Sequence, residues 1–332
     1  MKNAVPLVEI WRGPLAESVH IGHAVICGPG GVIHEAWGDP ETPVLPRSSA
    51  KMIQALPLVE SGAAVAHGLR PEQLALACAS HSGAETHTSR VTAWMTDLAL
   101  TDDDFRCGAH LPNGEAEREA MLRANGTPCQ VHNNCSGKHA GFLTLARHLG
   151  AGPEYVEIDH PVQQACLAAF NEVTGETSPG YGIDGCSAPN HVSTLHGMAR
   201  AMAAFASAAG GSDARQTAMV SLREAMMAHP DLVAGEARAC TELMRACTEP
   251  VALKTGAEGF YIAIIPGKQI GIALKITDGA TRASECAIAA LLVRLGALEA
   301  GHPATRKVMN APQRNHRGLV TGMIRPAVAL LS

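Results

Sequence analysis

"GFYIAIIPGKQIGIALKITDG", Gly259–Gly279, decides the fold. It is two runs rich in β-branched and aromatic residues around Pro266-Gly267-Lys268, and such runs flanking a short turn read as an antiparallel hairpin. "VHIGHAVICGPGGVIHEAWG", Val19–Gly38, repeats the pattern around Gly-Pro-Gly-Gly near the other end of the chain, after a candidate strand at Val5–Trp11. A strong helical segment, "TRASECAIAALLVRLGALEA", and a short strand, "GLVTGMIRP", follow the second hairpin. Between the two sheet regions, from about Ser48 to Thr248, apolar residues recur at helical spacing in segment after segment. The expectation is an α/β (α+β) protein. One antiparallel sheet is built from both termini (residues 1–47 and 250–332) and flanked by helices, an all-helical domain (48–249) is inserted, and an active-site cleft lies between them.

Composition bounds the function. The chain has 332 residues, 46% hydrophobic and 17% charged, enough for a sizeable core. A net charge of -5 and 3% aromatics argue against nucleic-acid binding. No run of about 18 uncharged apolar residues is present, so no membrane span is expected. The opening "MKNAVPLVEIWRGPLAE" has no unbroken apolar core of a signal peptide. The ten cysteines are scattered through apolar segments, which reads as reduced core thiols of a cytoplasmic protein.

Lysine is scarce: seven of the 26 basic residues. Only an amine, and not a guanidinium, gives up its proton under physiological conditions. Three of the seven fall in chemically suggestive places. In Ser48-Ser49-Ala50-Lys51 the i, i+3 spacing sets a hydroxyl and an amine on one helix face, where a neutral amine takes the serine proton and makes the oxygen a nucleophile. Pro46 and the serines suit a helix start whose N–H groups favour an oxyanion. Lys254-Thr255-Gly256 precedes the Gly259–Ile265 strand, is the partner motif of Ser-x-x-Lys in serine β-lactamases and penicillin-binding proteins, and carries a glycine that lets substrate approach the backbone. Their third motif, Ser-Asp-Asn, is missing. Ser80-His81-Ser82-Gly83, after an apolar helix, is the segment with a serine to offer, although a helix end with capping residues accounts for it equally well.

The third lysine lies in "HNNCSGKHAGF", His132–Phe142, where Cys135, Lys138 and His139 share a face of a helix starting near Cys135. "YGIDGCSAPNH" (Tyr181–His191) adds Asp184 and Cys186 in a Gly-rich turn. On the residues alone this is either a pair of buried thiols near a helix start or a Zn²⁺ site of two thiolates, a nitrogen ligand and an open water position.

Together Pro46–Lys51, Ser80–Gly83, Asn134-Cys135-Ser136-Gly137-Lys138-His139, Asp184-Gly185-Cys186 and Lys254–Gly256 resemble the rhizobial-type, class 3 L-asparaginases, over nearly the whole chain. The resemblance implies a serine β-lactamase-like fold shared with class A glutaminases and hydrolysis of L-asparagine by a homodimer. It implies two Ser–Lys tandems, Ser48 with Lys51 and Ser80 with Lys254. It also implies a zinc held by Cys135, Lys138 and Cys186, with His139 and Asp184 behind them, that aids substrate binding without doing the chemistry. Arg47 suits the substrate carboxylate, and Asn134, Thr255 and Gly256 complete the expected substrate contacts. Two other readings stay open: a glutaminase or other serine amidohydrolase on the same fold, and a non-catalytic zinc or thiol sensor.

Overall fold

The computed structural model describes residues 3–211 and 213–331. The chain forms two compact units, Met1–Ser49 with Ser193–Ser207 and Glu242–Ser332, and Ala50–Val192 with Ala208–Thr241.

The first unit holds an eight-stranded antiparallel sheet. Its strands are β1 (Val5–Arg12), β2 (Leu15–Cys27), β3 (Ile33–Trp37), β4 (Ala252–Gly256), β5 (Phe260–Ile265), β6 (Ile270–Ile276), β7 (Ala311–Arg314) and β8 (Val320–Pro326). The order is β7-β8-β1-β2-β6-β5-β4, with β3 also paired to β2. Both expected hairpins form, as β2–β3 and β5–β6. The long β2 joins the two ends of the chain. One edge serves β1 and then β3, and the other pairs residues 22–27 with β6.

Every residue of β5 is buried, so this strand is covered on both faces, which is why its sequence is continuously apolar and not alternating. The helices Leu195–Ser207 and Thr281–Arg294 both pack on β5 and β6. Gly271 makes the first contact feasible: a Cβ there would lie 2.1 Å from Ala203 N and 2.5 Å from Ala199 O. Leu195–Ser207 was read from sequence as part of the helical insert. Its apolar period identifies a helix but not its neighbour, and the neighbour is the sheet.

The second unit is helical, with principal helices Pro71–Ala77, Glu85–Asp97, Ser136–His148, Pro161–Thr174 and Ala214–Ala228. Ser136–His148 is buried without a break from Ser136 to Ala146, so its polar side chains Ser136, Lys138, His139 and Thr144 are held inside protein. At Gly137 a Cβ would sit 2.4 Å from Leu76 O. That close crossing brings the segment after Pro71–Ala77, with Ser80, beside the start of the buried helix. A ribbon of Tyr181–Ile183 and Pro189–His191 presents Asp184-Gly185-Cys186 in its turn, closed by Ser187 at φ 68. No helix among the described residues is long and apolar enough to cross a membrane.

Candidate active site

In the sheet unit, residues 47–50 form a 3-10 turn entered by Arg47 at φ 51, a left-handed conformation that costs free energy in a residue with a Cβ. Ser48 in this turn is half-buried and Ser49 is fully buried. The Ser49 hydroxyl donates to Lys254 O on β4 at 2.9 Å. A Cβ on Gly256 would lie 2.6 Å from Pro46 O and 3.0 Å from Ser49 Oγ. The Arg47–Ser49 turn therefore rests directly on the Lys254-Thr255-Gly256 strand, which needs its glycine for that approach. Lys254 is 1% exposed, and its Nζ donates to Thr255 O at 2.8 Å.

In the helical unit the other lysines lie in one continuous polar chain. Lys51, 1% exposed, donates from Nζ to Ala79 O, to Ser80 Oγ (3.0 Å) and to Cys135 Sγ (3.1 Å). All three ammonium protons are thus used. The backbone pins both ends of the contact: Ser80 N–H donates to Val233 O (2.9 Å) and Cys135 N–H to Asn133 Oδ1 (2.9 Å). Lys138 Nζ donates to Cys186 Sγ at 3.0 Å and lies 5.3 Å from the Phe142 ring centroid.

The two sulfurs push each other's protonation in opposite directions. The Cys135 hydrogen bond holds Cys186 well below the usual thiol range against the cost of burial, and Lys138 adds to this. Cys135 is pushed well above that range by the same hydrogen bond and by burial. Burial works against the Lys138 charge, but Cys186 and Cys135 outweigh it and raise Lys138 above an ordinary lysine. Cys186 is thus biased toward its thiolate and Lys138 toward its ammonium. Asp184, half-buried, adds negative charge near Lys138.

Behind this pair stands a support that the motifs did not announce. Arg106 N–H donates to Tyr155 Oη (2.7 Å), leaving the hydroxyl proton for His139 Nδ1 (2.8 Å). His139 Nε2 is buried without a well-formed hydrogen bond, and Cys186 draws a proton toward it while Lys138 and Lys51 oppose this. Burial pushes this imidazole down to about 4. Asn133 donates to Cys107 O (2.9 Å) and Gly108 O (2.8 Å), and Asn134 N–H donates to His110 Nε2 (3.0 Å). Tyr155 lies outside every motif singled out in the sequence.

The donor set fits zinc. Two sulfurs, one of them biased toward its thiolate, lie with a lysine nitrogen, and an imidazole nitrogen nearby lacks a well-formed partner. Among the described residues no three His, Cys, Asp or Glu side chains gather as metal ligands, so a three-ligand site here requires the Lys138 amine.

The chain is similar to several solved structures: a putative β-lactamase from Bacteroides dorei (12% identity, TM-score 0.42, 77% of this chain and 84% of that one), the native form of Mglu (15%, 0.46, 89% and 69%) and a β-lactamase from Mycobacterium bovis (14%, 0.38, 83% and 95%). A comparison with curated proteins gave no match. The model of the family described as L-asparaginase II matches residues 8–326, nearly the whole length. The chain belongs to the L-asparaginase II family and, with it, to the amidohydrolases.

Proposed function

We propose that the protein hydrolyses L-asparagine to L-aspartate and ammonia through a serine acyl-enzyme. The observation that carries this reading is the Lys51 amine, buried and 3.0 Å from the Ser80 hydroxyl, three residues after Ser48 in the chain. A lysine held there is built to move a proton between hydroxyls, since an amine exchanging protons with serine supplies both base and acid.

In the proposed sequence Ser48 attacks the side-chain amide carbon and its proton passes to Lys51. Backbone N–H groups near Ser48 and β4 hold the oxyanion. The C–N bond breaks as the nitrogen takes a proton by way of Lys51 and Ser80, with Lys254 the second amine, and ammonia leaves. Water then hydrolyses the β-aspartyl ester on Ser48. Arg47 is assigned to the substrate carboxylate, and Asn134, Thr255 and Gly256 to its remaining polar groups. Zinc would be held by Cys135, Lys138 and Cys186, with His139 and Asp184 orienting them, and bound there it supplies positive charge that strengthens substrate binding. The reading includes a cytoplasmic homodimer, which light scattering and fractionation check.

Glutamine differs from asparagine by one methylene, which an apolar pocket distinguishes by only about 1–3 kcal/mol. The test is ammonia release from L-asparagine and from L-glutamine by the purified protein after full metal analysis. Release from asparagine with glutamine near background is expected. Release mainly from glutamine moves the substrate. Metal binding with no release from either sinks the enzyme reading in favour of a sensor.

A further inference from the structure

Ser80-His81-Ser82-Gly83 lends Ser80 to the proposed chemistry and leaves His81 without a role. His81 is fully buried. A buried imidazole costs free energy unless its nitrogens are paired, and both nitrogens of His81 are. Gly83 N–H donates to Nδ1 at 3.2 Å, so this nitrogen offers its lone pair and the ring proton sits on Nε2. Nε2–H then donates to Ser136 Oγ at 2.9 Å. The Ser136 hydroxyl, also fully buried, gives its own proton to Val131 O at 2.9 Å. Each bond in this chain has one direction.

These bonds close a ring around Lys51. The Lys51 amine lies 3.0 Å from Ser80 Oγ and 3.1 Å from Cys135 Sγ. His81 directly follows Ser80, and Ser136 directly follows Cys135. The two residues that flank the amine are thus joined a second time, through the residues that follow them. The backbone adds a parallel link, from His81 N–H to Asn134 O at 3.1 Å. The gap that receives the amine, between a hydroxyl and a thiol, is therefore spanned by a strut.

The strut has a backing. His87 stacks on His81 with 4.9 Å between ring centroids and 10° between planes. His87 Nε2–H donates to Asp231 O at 2.9 Å, and Ser80 N–H donates to Val233 O at 2.9 Å. Ser80 and His81 are therefore tied to two separate segments, 134–136 and 231–233. Proton transfer needs its partners within hydrogen-bond reach, and a displacement of about 1 Å can cost on the order of 10²-fold in rate. Filling space asks only for a ring of the right size. The directed bond from His81 to the residue after Cys135 does more, since it fixes where Ser80 stands relative to the second partner of the amine.

We infer that His81, through its bond to Ser136, is a positioning residue that holds the Ser80 hydroxyl at the Lys51 amine. The inference rests on the amidohydrolase reading above for the reaction it serves. Two substitutions separate the ring nitrogens. A Gln amide reaches the place of Nε2 and donates to Ser136, whereas an Asn amide reaches only the place of Nδ1 and serves Gly83 alone. At equal zinc content, His81→Asn should lower kcat for ammonia release at least about tenfold with KM unchanged. His81→Gln should recover most of that loss. Ser136→Ala removes a single oxygen, should match His81→Asn, and carries the test if His81→Asn does not fold. The double variant His81→Asn/Ser136→Ala should be no worse than either alone, because both break one link. Equal losses in His81→Asn and His81→Gln, additive losses in the double variant, or an unchanged kcat in Ser136→Ala would overturn the role. A second readout needs no turnover. The Lys51 Nζ resonance of protein carrying ¹⁵N-labelled lysine, assigned through its loss in Lys51→Met, should shift in His81→Asn and Ser136→Ala and stay in place in His81→Gln. A resonance unmoved in all three contradicts the inference. A protein that releases no ammonia from any amide yet shows this pattern of shifts loses the hydrolysis proposal and keeps the positioning role.

Discussion

Lys51 and Lys138 invite comparison because both close the same local pattern. Each follows a nucleophilic side chain by three residues, Ser48-Ser49-Ala50-Lys51 and Cys135-Ser136-Gly137-Lys138, and each is buried. Their amines meet different partners. Lys51 donates to a carbonyl, a hydroxyl and a thiol that keeps its proton, with no anion bonded to it. Lys138 donates to Cys186, whose thiol is held well below its usual range. The ammonium of Lys138 is held in its charged form by the sulfurs beside it, whereas the bonds of Lys51 run to neutral groups. The same spacing thus sets one lysine beside a hydroxyl, where the proposed mechanism uses it to move protons, and one beside a sulfur, where the proposal makes it a metal ligand.

The largest break in this comparison should come from Lys51→Met. Loss of a general acid–base group is expected to lower kcat for ammonia release by about 10²–10⁴ while zinc content stays unchanged. A loss under tenfold would assign Lys51 to packing. Cys186→Ala attacks the other lysine. It strands the Lys138 charge in the interior and should cost about 3–5 kcal/mol in urea unfolding, with zinc affinity lost. The double variant Lys138→Met/Cys186→Ala should recover most of that stability, and failure to recover it would mean that Lys138 is not charged in the native state.

A smaller effect tests whether the sheet unit carries only packing at Leu195–Ser207. Gly271→Ala places a methyl group against the backbone of that helix and should cost about 1–3 kcal/mol, with KM for asparagine unaltered. A change in KM without a change in stability would contradict this.

The mildest effect is on pH dependence. His81 and His87 stack at 4.9 Å between ring centroids, and burial lowers both below their ordinary value of 6.5, His81 furthest. The unfolded chain therefore binds protons that the folded chain refuses. Stability present above about 6.5 is lost as pH falls, with a slope of about 1.4 kcal/mol per pH unit for each such imidazole. Urea midpoints at neutral and mildly acid pH measure this, and His81→Gln should flatten the slope. An unchanged slope would show that His81 charges freely in the folded state.

What the sequence made legible divides along the same line. β5 and β6 were readable because a continuously apolar, β-branched run on either side of Pro266-Gly267 has few other solutions. Leu195–Ser207 was readable as a helix but not as a cover for the sheet, because periodicity describes one element and not its partner. The three lysines stood out by scarcity in a chain that prefers arginine. Their partners did not stand out. The oxygen that receives the Lys51 amine belongs to Ser80, and the sulfur that receives Lys138 belongs to Cys186, both far along the chain. Tyr155, which aims His139, sits in no motif at all, so only the fold could show it.

The central claim is that a serine in the Arg47–Ala50 turn carries the acyl group. Its most direct test is to mix the protein with L-asparagine, quench with acid within the first turnovers, and map the adduct by peptide mass spectrometry, alongside Ser48→Ala. The account predicts one β-aspartyl group on the peptide containing Ser48, absent in Ser48→Ala. A β-aspartyl group on Ser80, or none in a protein that still releases ammonia, would contradict it.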